Sequence, residues 1–135
     1  MAEGDFPDTE AGIVALLKNY SQVTNIVGTS VLFGVPRNNP SFPLIVVRRL
    51  TGGEDTSDAP LDQAVLNIDC WGRSKLEASN LVNAVRSVFF GVRSPVEIAG
   101  VRIYVATVDS VVWQPDPEDD RPRYVLTTRV TSAAV

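Results

Sequence analysis

The sequence predicts an α+β domain: an antiparallel or mixed β-sheet with two α-helices packed on one face. Three observations carry that expectation. Two stretches place apolar residues at helical spacing. Five or six short stretches are β-branched or alternate apolar with polar residues. Neighbouring strand-like stretches are joined by turn-rich segments rather than by crossover helices.

Residues 1–8 read as a loose lead-in to a single domain that spans 1–135. Asp8 or Thr9 is placed to cap a first helix, in which Ile13, Leu16, Leu17 and Tyr20 recur as an amphipathic stripe. Val23, Ile26 and Val27 suggest one more short turn, closed by Gly28. SVLFG is a short strand, and the prolines and asparagines of VPRNNPSFP mark a connector. LIVVRRL, Leu44 to Leu50, is too short and too β-branched for a helix; its first half is apolar on both faces, as in a central strand. TGGEDTSDAP opens a long loop, 52–62. Ala64, Leu66, Ile68 and Cys70 then alternate with Val65, Asn67, Asp69 and Trp71, a half-buried strand expected to pair antiparallel with the one before it.

Ser74 and Glu77 stand three apart as a capping box, in which Ser74 accepts the amide of Glu77 and Glu77 reaches back. Ala78, Leu81, Val82, Val85, Val88 and Phe89 form the apolar face of the helix behind it, and Gly91 ends it. PVEIAGVRIYV reads as a tight hairpin around Ala99 and Gly100. Val101 to Trp113 is a long strand, and Tyr124 to Val130 is its expected partner across the loop 114–122.

A chain of 135 residues, 44% apolar and 21% charged, suffices for one domain with one core. No apolar run approaches the ~20 residues that span a bilayer, and MAEGDFPDTE lacks the apolar stretch of a secretory signal. The lone Cys70 has no internal disulfide partner and reads as a small buried hydrophobe, consistent with a reducing cytoplasm. With no histidine and one cysteine, ordinary zinc sites and Ser-His or Cys-His nucleophile pairs are excluded. A formal charge of −4 argues against a nucleic-acid binder. No phosphate loop, dinucleotide fingerprint, HExxH or GxSxG is present. No catalytic, cofactor or metal residue is expected. Asp116, Glu118, Asp119 and Asp120 form the nearest approach to a carboxylate centre, but they sit in a loop without a rigid element to fix them.

Charge placement says more than net charge. Twelve of the sixteen acids fall between Glu3 and Glu10, Glu54 and Asp62, and Asp116 and Asp120. No acid occurs from Ala11 to Gly53, where Lys18, Arg37, Arg48 and Arg49 are basic. Ten of the twelve basic residues are arginines, which form bidentate pairs and favour interfaces. Two readings stand. The acids solvate loops, or Glu54, Asp55, Asp58, Asp116, Glu118, Asp119 and Asp120 of one copy meet Arg37, Arg48, Arg49, Arg121 and Arg123 of the next. Trp71 and Trp113, both at strand ends, pack at the sheet's rim or anchor an interface.

The amphipathic first helix, FPLIVVRRL, VLNIDCWGRSKLEASNLVNAV and the closing WQPDPEDDRPRYVLTTRV together resemble the tail-terminator and tail-completion proteins of long, non-contractile-tailed bacteriophages, over roughly residues 8–131. The resemblance implies a sheet flanked by helices and a structural role. It implies a homo-oligomeric ring, commonly a hexamer, at the head-proximal end of the virion's tail tube, put together in the host cytoplasm. That ring stops tube polymerisation, contacts tail tube protein and the head–tail connector or neck protein, and lets DNA pass without specific binding; no membrane is involved. It transfers no individual site residue. The competing readings are a head-closure or neck connector protein, a small-molecule-binding or enzymatic α+β domain, and a tube component of a contractile or secretion-type system.

Overall fold

Helix α1 (Thr9–Lys18) starts where Asp8 accepts the Ala11 amide at 3.1 Å, satisfying a donor that the first turn leaves orphaned. The computed structural model describes residues 6–28, 30–33, 42–50 and 60–135. The connector around Arg37 and the loop holding Gly52, Gly53, Glu54, Asp55 and Asp58 therefore lie outside the described residues. Extended backbone at Tyr20 interrupts the first helix, and the expected extra turn is a helix in its own right, α2 (Ser21–Val27). Val23 and Val27, one turn apart, point it into the core, so three helices rather than two pack on the sheet.

The remaining order is β1 (Val31–Phe33), β2 (Leu44–Arg49), β3 (Asp62–Trp71), α3 (Lys75–Phe90), β4 (Val96–Ile98), β5 (Val101–Trp113) and β6 (Arg123–Ala134). The strands form one sheet in the order β1-β2-β3-β6-β5-β4. β1 runs parallel to β2 and every other neighbour is antiparallel, so the sheet is mixed. Strand β6 runs four residues past Val130, because β3 and β5 pair with it on both sides up to Ser132 and Ala134.

Register divides the residues between two faces. Ala64 lies beside Val130, Leu66 beside Thr128 and Ile68 beside Leu126, and this parity faces the helices. Ile13, Leu16 and Leu17 of α1 and Leu81, Val85 and Phe89 of α3 close over it. Each large side chain buried this way contributes roughly 1.5–3 kcal/mol. Leu44, Val46 and Val125 are buried on the opposite face, as the two-sided apolar pattern of LIVV requires.

Two junctions depend on local backbone chemistry. A Cβ on Gly72 would lie 2.6 Å from the Ala78 amide nitrogen and 2.8 Å from the Ser74 carbonyl oxygen, so only glycine allows β3 to turn directly into α3. The α3 cap is the expected box with one change. Ser74 accepts the Glu77 amide at 3.1 Å, but Glu77 reaches past Ser74 to the amide of Arg73 at 2.8 Å and pairs with its guanidinium. Those Arg73 contacts hold the Glu77 carboxyl below its ordinary pKa.

Candidate functional site

The loop 114–122 joins β5 to β6 and answers why so acidic and proline-rich a stretch adjoins so regular a strand: its acids build the turn. The Asp116 carboxylate accepts the Glu118 amide at 2.8 Å, and Asp119 accepts the Arg121 amide at 3.0 Å. The Asp116 amide bonds the Arg121 carbonyl, and the Asp120 amide bonds the Asp116 carbonyl. Asp120 takes a positive φ of 55°, a conformation that aspartate tolerates better than most residues. Glu118 and Asp120 are left with exposed carboxylates that bond nothing among the described residues.

Below the tip, cations lie on aromatic rings. The Arg121 guanidinium is 3.9 Å from the Phe42 ring centre, Arg123 is 4.6 Å from Trp71, and Lys75 Nζ is 4.8 Å from Trp113. Trp113 also meets Tyr124 at 5.0 Å, and Trp71 meets Phe42 at 6.0 Å. Both tryptophans thus sit at the sheet's rim beneath charged residues.

Of the arginines singled out in the sequence, Arg37 lies outside the described residues and the others have partners within their own chain. Arg48 pairs with buried Asp69 at 3.1 Å, and Arg123 approaches the same carboxylate at 4.0 Å. Arg49 grips Asp62 through both terminal nitrogens at 2.5 and 2.6 Å. Asp62 also accepts the Thr9 hydroxyl, and Thr9 lies 2.8 Å from the Ser132 hydroxyl. Burial pushes the Asp62 carboxyl up, but the hydrogen bonds from Arg49 and Thr9 and the Arg49 charge outweigh it and hold the carboxyl below its ordinary value. Asp62, grouped by sequence with a loop, is thus the buried first residue of β3. Its spacing was the missed signal, since Asp62 shares the core-facing parity of Ala64, Leu66 and Ile68. Cys70 is fully buried, and burial together with the charge of Asp69 drives its thiol pKa upward, so it stays protonated and inert.

The outer edge of β5 is the other notable surface. Strand β4 pairs only with Val101, Arg102 and Ile103, and no described strand flanks residues 104–113 on that side. Val105, Val111, Val112 and Trp113 are exposed there, and two register shifts interrupt the strand. Between this edge and α3 runs a groove of about 610 Å³, lined by Asn83, Arg86, Ser87, Phe90 and Val108 among others. Phe90 is 72% exposed. Sequence reasoning missed Arg86, Phe90 and Arg93; the one available signal was that Phe90 falls outside the apolar stripe that holds Phe89. Among the described residues no three His, Cys, Asp or Glu side chains are grouped to hold a metal ion, and no helix is long and apolar enough to cross a membrane.

These features are surfaces, and among the described residues no set of reactive groups converges. The sequence model of a family described as tail completion protein gp17 matches residues 11–132. This chain belongs to the tail completion protein family. It is a structural, non-enzymatic component of a bacteriophage tail. The fold of this tail completion protein is similar to that of a chain in the virion of a native gene transfer agent particle, with a TM-score of 0.64 at 18% identity over 93% of this chain and 94% of that one. Among curated protein sequences none matches it.

Proposed function

We propose that this protein is a tail terminator: it forms a closed ring, a hexamer by family resemblance, on the head-proximal end of the tail tube. The ring stops tube polymerisation and offers a surface to the head–tail connector or neck protein. The observation that carries this reading is the open β5 edge in a tail completion protein. An unflanked, partly apolar edge of this length is a liability in a monomer and a ready contact for another subunit. The tip and the edge are different patches on one chain, and contacts between unlike patches close into rings or extend into filaments. The acids Asp116, Glu118, Asp119 and Asp120 face a neighbour or the tube in this arrangement. Arg121 supports them, whereas Arg48, Arg49 and Arg123 serve mainly to fix buried acids. With a net charge of −4, the lumen repels DNA and lets it slide.

Native mass spectrometry of the purified chain, alone and with tail tube protein, tests the proposal. A closed oligomer near six copies, or a monomer that assembles only on tube protein, is expected. A monomer or dimer indifferent to tube protein would overturn it.

A further inference from the structure

The sequence pairs the acidic loop with Arg37, Arg48 and Arg49 of a neighbour. Arg37 lies outside the described residues, and Arg48 and Arg49 are engaged with Asp69 and Asp62 of their own chain, so a complement for the tip is sought among the other described cations. Two cations beside the open β5 edge supply one. Arg86 lines the groove under α3 and has no hydrogen bond or ion pair among the described residues. Arg93 lies 4.0 Å from the Phe90 ring centre and has no ion pair among the described residues. The groove continues past Arg93 along Tyr104 and Val105, and among the described residues no acid lines either part.

The rest of the described surface narrows the choice of occupant. Asp109 pairs with Arg129, Glu97 with Arg102 and Glu77 with Arg73, while Asp8 caps α1 and Glu10 stands singly in the first turn of that helix. The hairpin tip remains as the concentrated acidic patch whose outer carboxylates, Glu118 and Asp120, are unspent among the described residues. A tip cannot reach the groove of its own chain. Val108, the lining residue nearest the tip, stands five positions before Trp113, about 17 Å at ~3.3 Å per residue, and the chain runs on from there away from the groove.

We infer that the groove between α3 and the β5 edge receives the acidic hairpin tip of a second copy, with Glu118 and Asp120 facing Arg86 and Arg93 across the exposed ring of Phe90. Prolines 115, 117 and 122 and the two aspartate-capped turns pre-shape the tip, which lowers the entropy lost on docking. The contact joins unlike patches, so each copy gives a tip and receives one. The inference rests on the ring reading and names the surfaces that make it.

Charge reversal tests it by sedimentation velocity and native mass spectrometry, with and without tail tube protein. Arg86→Glu with Arg93→Glu, and separately Glu118→Arg with Asp120→Asn, in which asparagine keeps the positive φ of 55° at position 120, should each weaken self-association about tenfold or more. All four substitutions in one chain should restore it. Circular dichroism should be unchanged throughout, because all four side chains are exposed. Rings that form equally well in both single-sided variants, or that the combined variant fails to restore, overturn the groove while leaving the ring reading intact. Wild-type chains that never associate, with or without tube protein, overturn both. Loss of duplex-DNA binding in the Arg86→Glu, Arg93→Glu variant with self-association intact would assign these arginines to phosphates and overturn the tip contact.

Discussion

Asp62 shows what a single residue contributes here. Its carboxylate is anchored by Arg49 and Thr9, and its folded pKa lies below the unfolded value. The stability it supplies is therefore complete above the unfolded pKa and is lost as pH falls below about 4 toward the folded pKa. Asp62→Asn should cost about 1–2 kcal/mol at neutral pH, since it removes the charge from a bidentate pair whose carboxylate is buried and whose guanidinium is partly solvated. The cost should shrink on acidification, which urea unfolding at pH 7 and pH 3 would reveal. Gly72→Ala is a separate residue-scale expectation. Its Cβ meets backbone rather than a flexible side chain, so a loss of about 2 kcal/mol or more is expected in thermal unfolding, with no nearby rotamer change to relieve it. Residue roles were only partly legible in the sequence. The parity of the β3 run placed Cys70 correctly and would have placed Asp62 too, but the proximity of Glu54, Asp55 and Asp58 made Asp62 look like a loop acid. Nothing local to LIVVRRL says that Arg48 finds Asp69, because that pairing depends on the β2–β3 register.

Elements were more legible than residues, because each carries its own punctuation. Ser74 and Glu77 mark the start of α3, the alternation of β3 gives a strand, and Ala99-Gly100 gives a two-residue hairpin. In that hairpin both turn residues are left-handed, Ala99 at φ 52° and Gly100 at φ 75°, the geometry that suits the twist of the strands. Alanine carries a steric penalty there that asparagine largely avoids. Ala99→Asn should thus stabilise the protein by about 0.5–1 kcal/mol, seen as a raised Tm with an unchanged m-value. A lowered Tm would mean that the methyl group of Ala99 has a packing role. The length of β6 and the independence of α2 were not legible. The first is set by two neighbouring strands that lie far off in sequence, and the second by a backbone break at Tyr20 that no proline or glycine announces.

At the scale of the whole molecule the family was legible from the run of helix and strand stretches in this sequence, without any reactive motif. Of the surfaces proposed to dock, one was legible. The acidic tip stands out in any reading of residues 113–123, whereas Arg86, Phe90 and Arg93 become a surface only once β4 stops at Ile98 and leaves the rest of the β5 edge open. The sheet order has one more consequence. Strand β6 is last in sequence but lies in the middle of the sheet, and residues 9, 62 and 132 meet through Thr9, Asp62 and Ser132. A ribosome that has delivered everything up to Pro122 has made two strand groups, β1-β2-β3 and β4-β5, with no strand to pair between them. Both inner edges stay bare until the last stretch emerges, so folding waits for late synthesis and its contacts are long-range and slow. A chain cut after Pro122 should show no cooperative thermal transition and should aggregate, whereas adding residues 123–135 as a separate peptide should restore part of the transition. In the infected cell, unfinished chains would thus be unable to take a place in a tail, and only completed ones would be competent to join it.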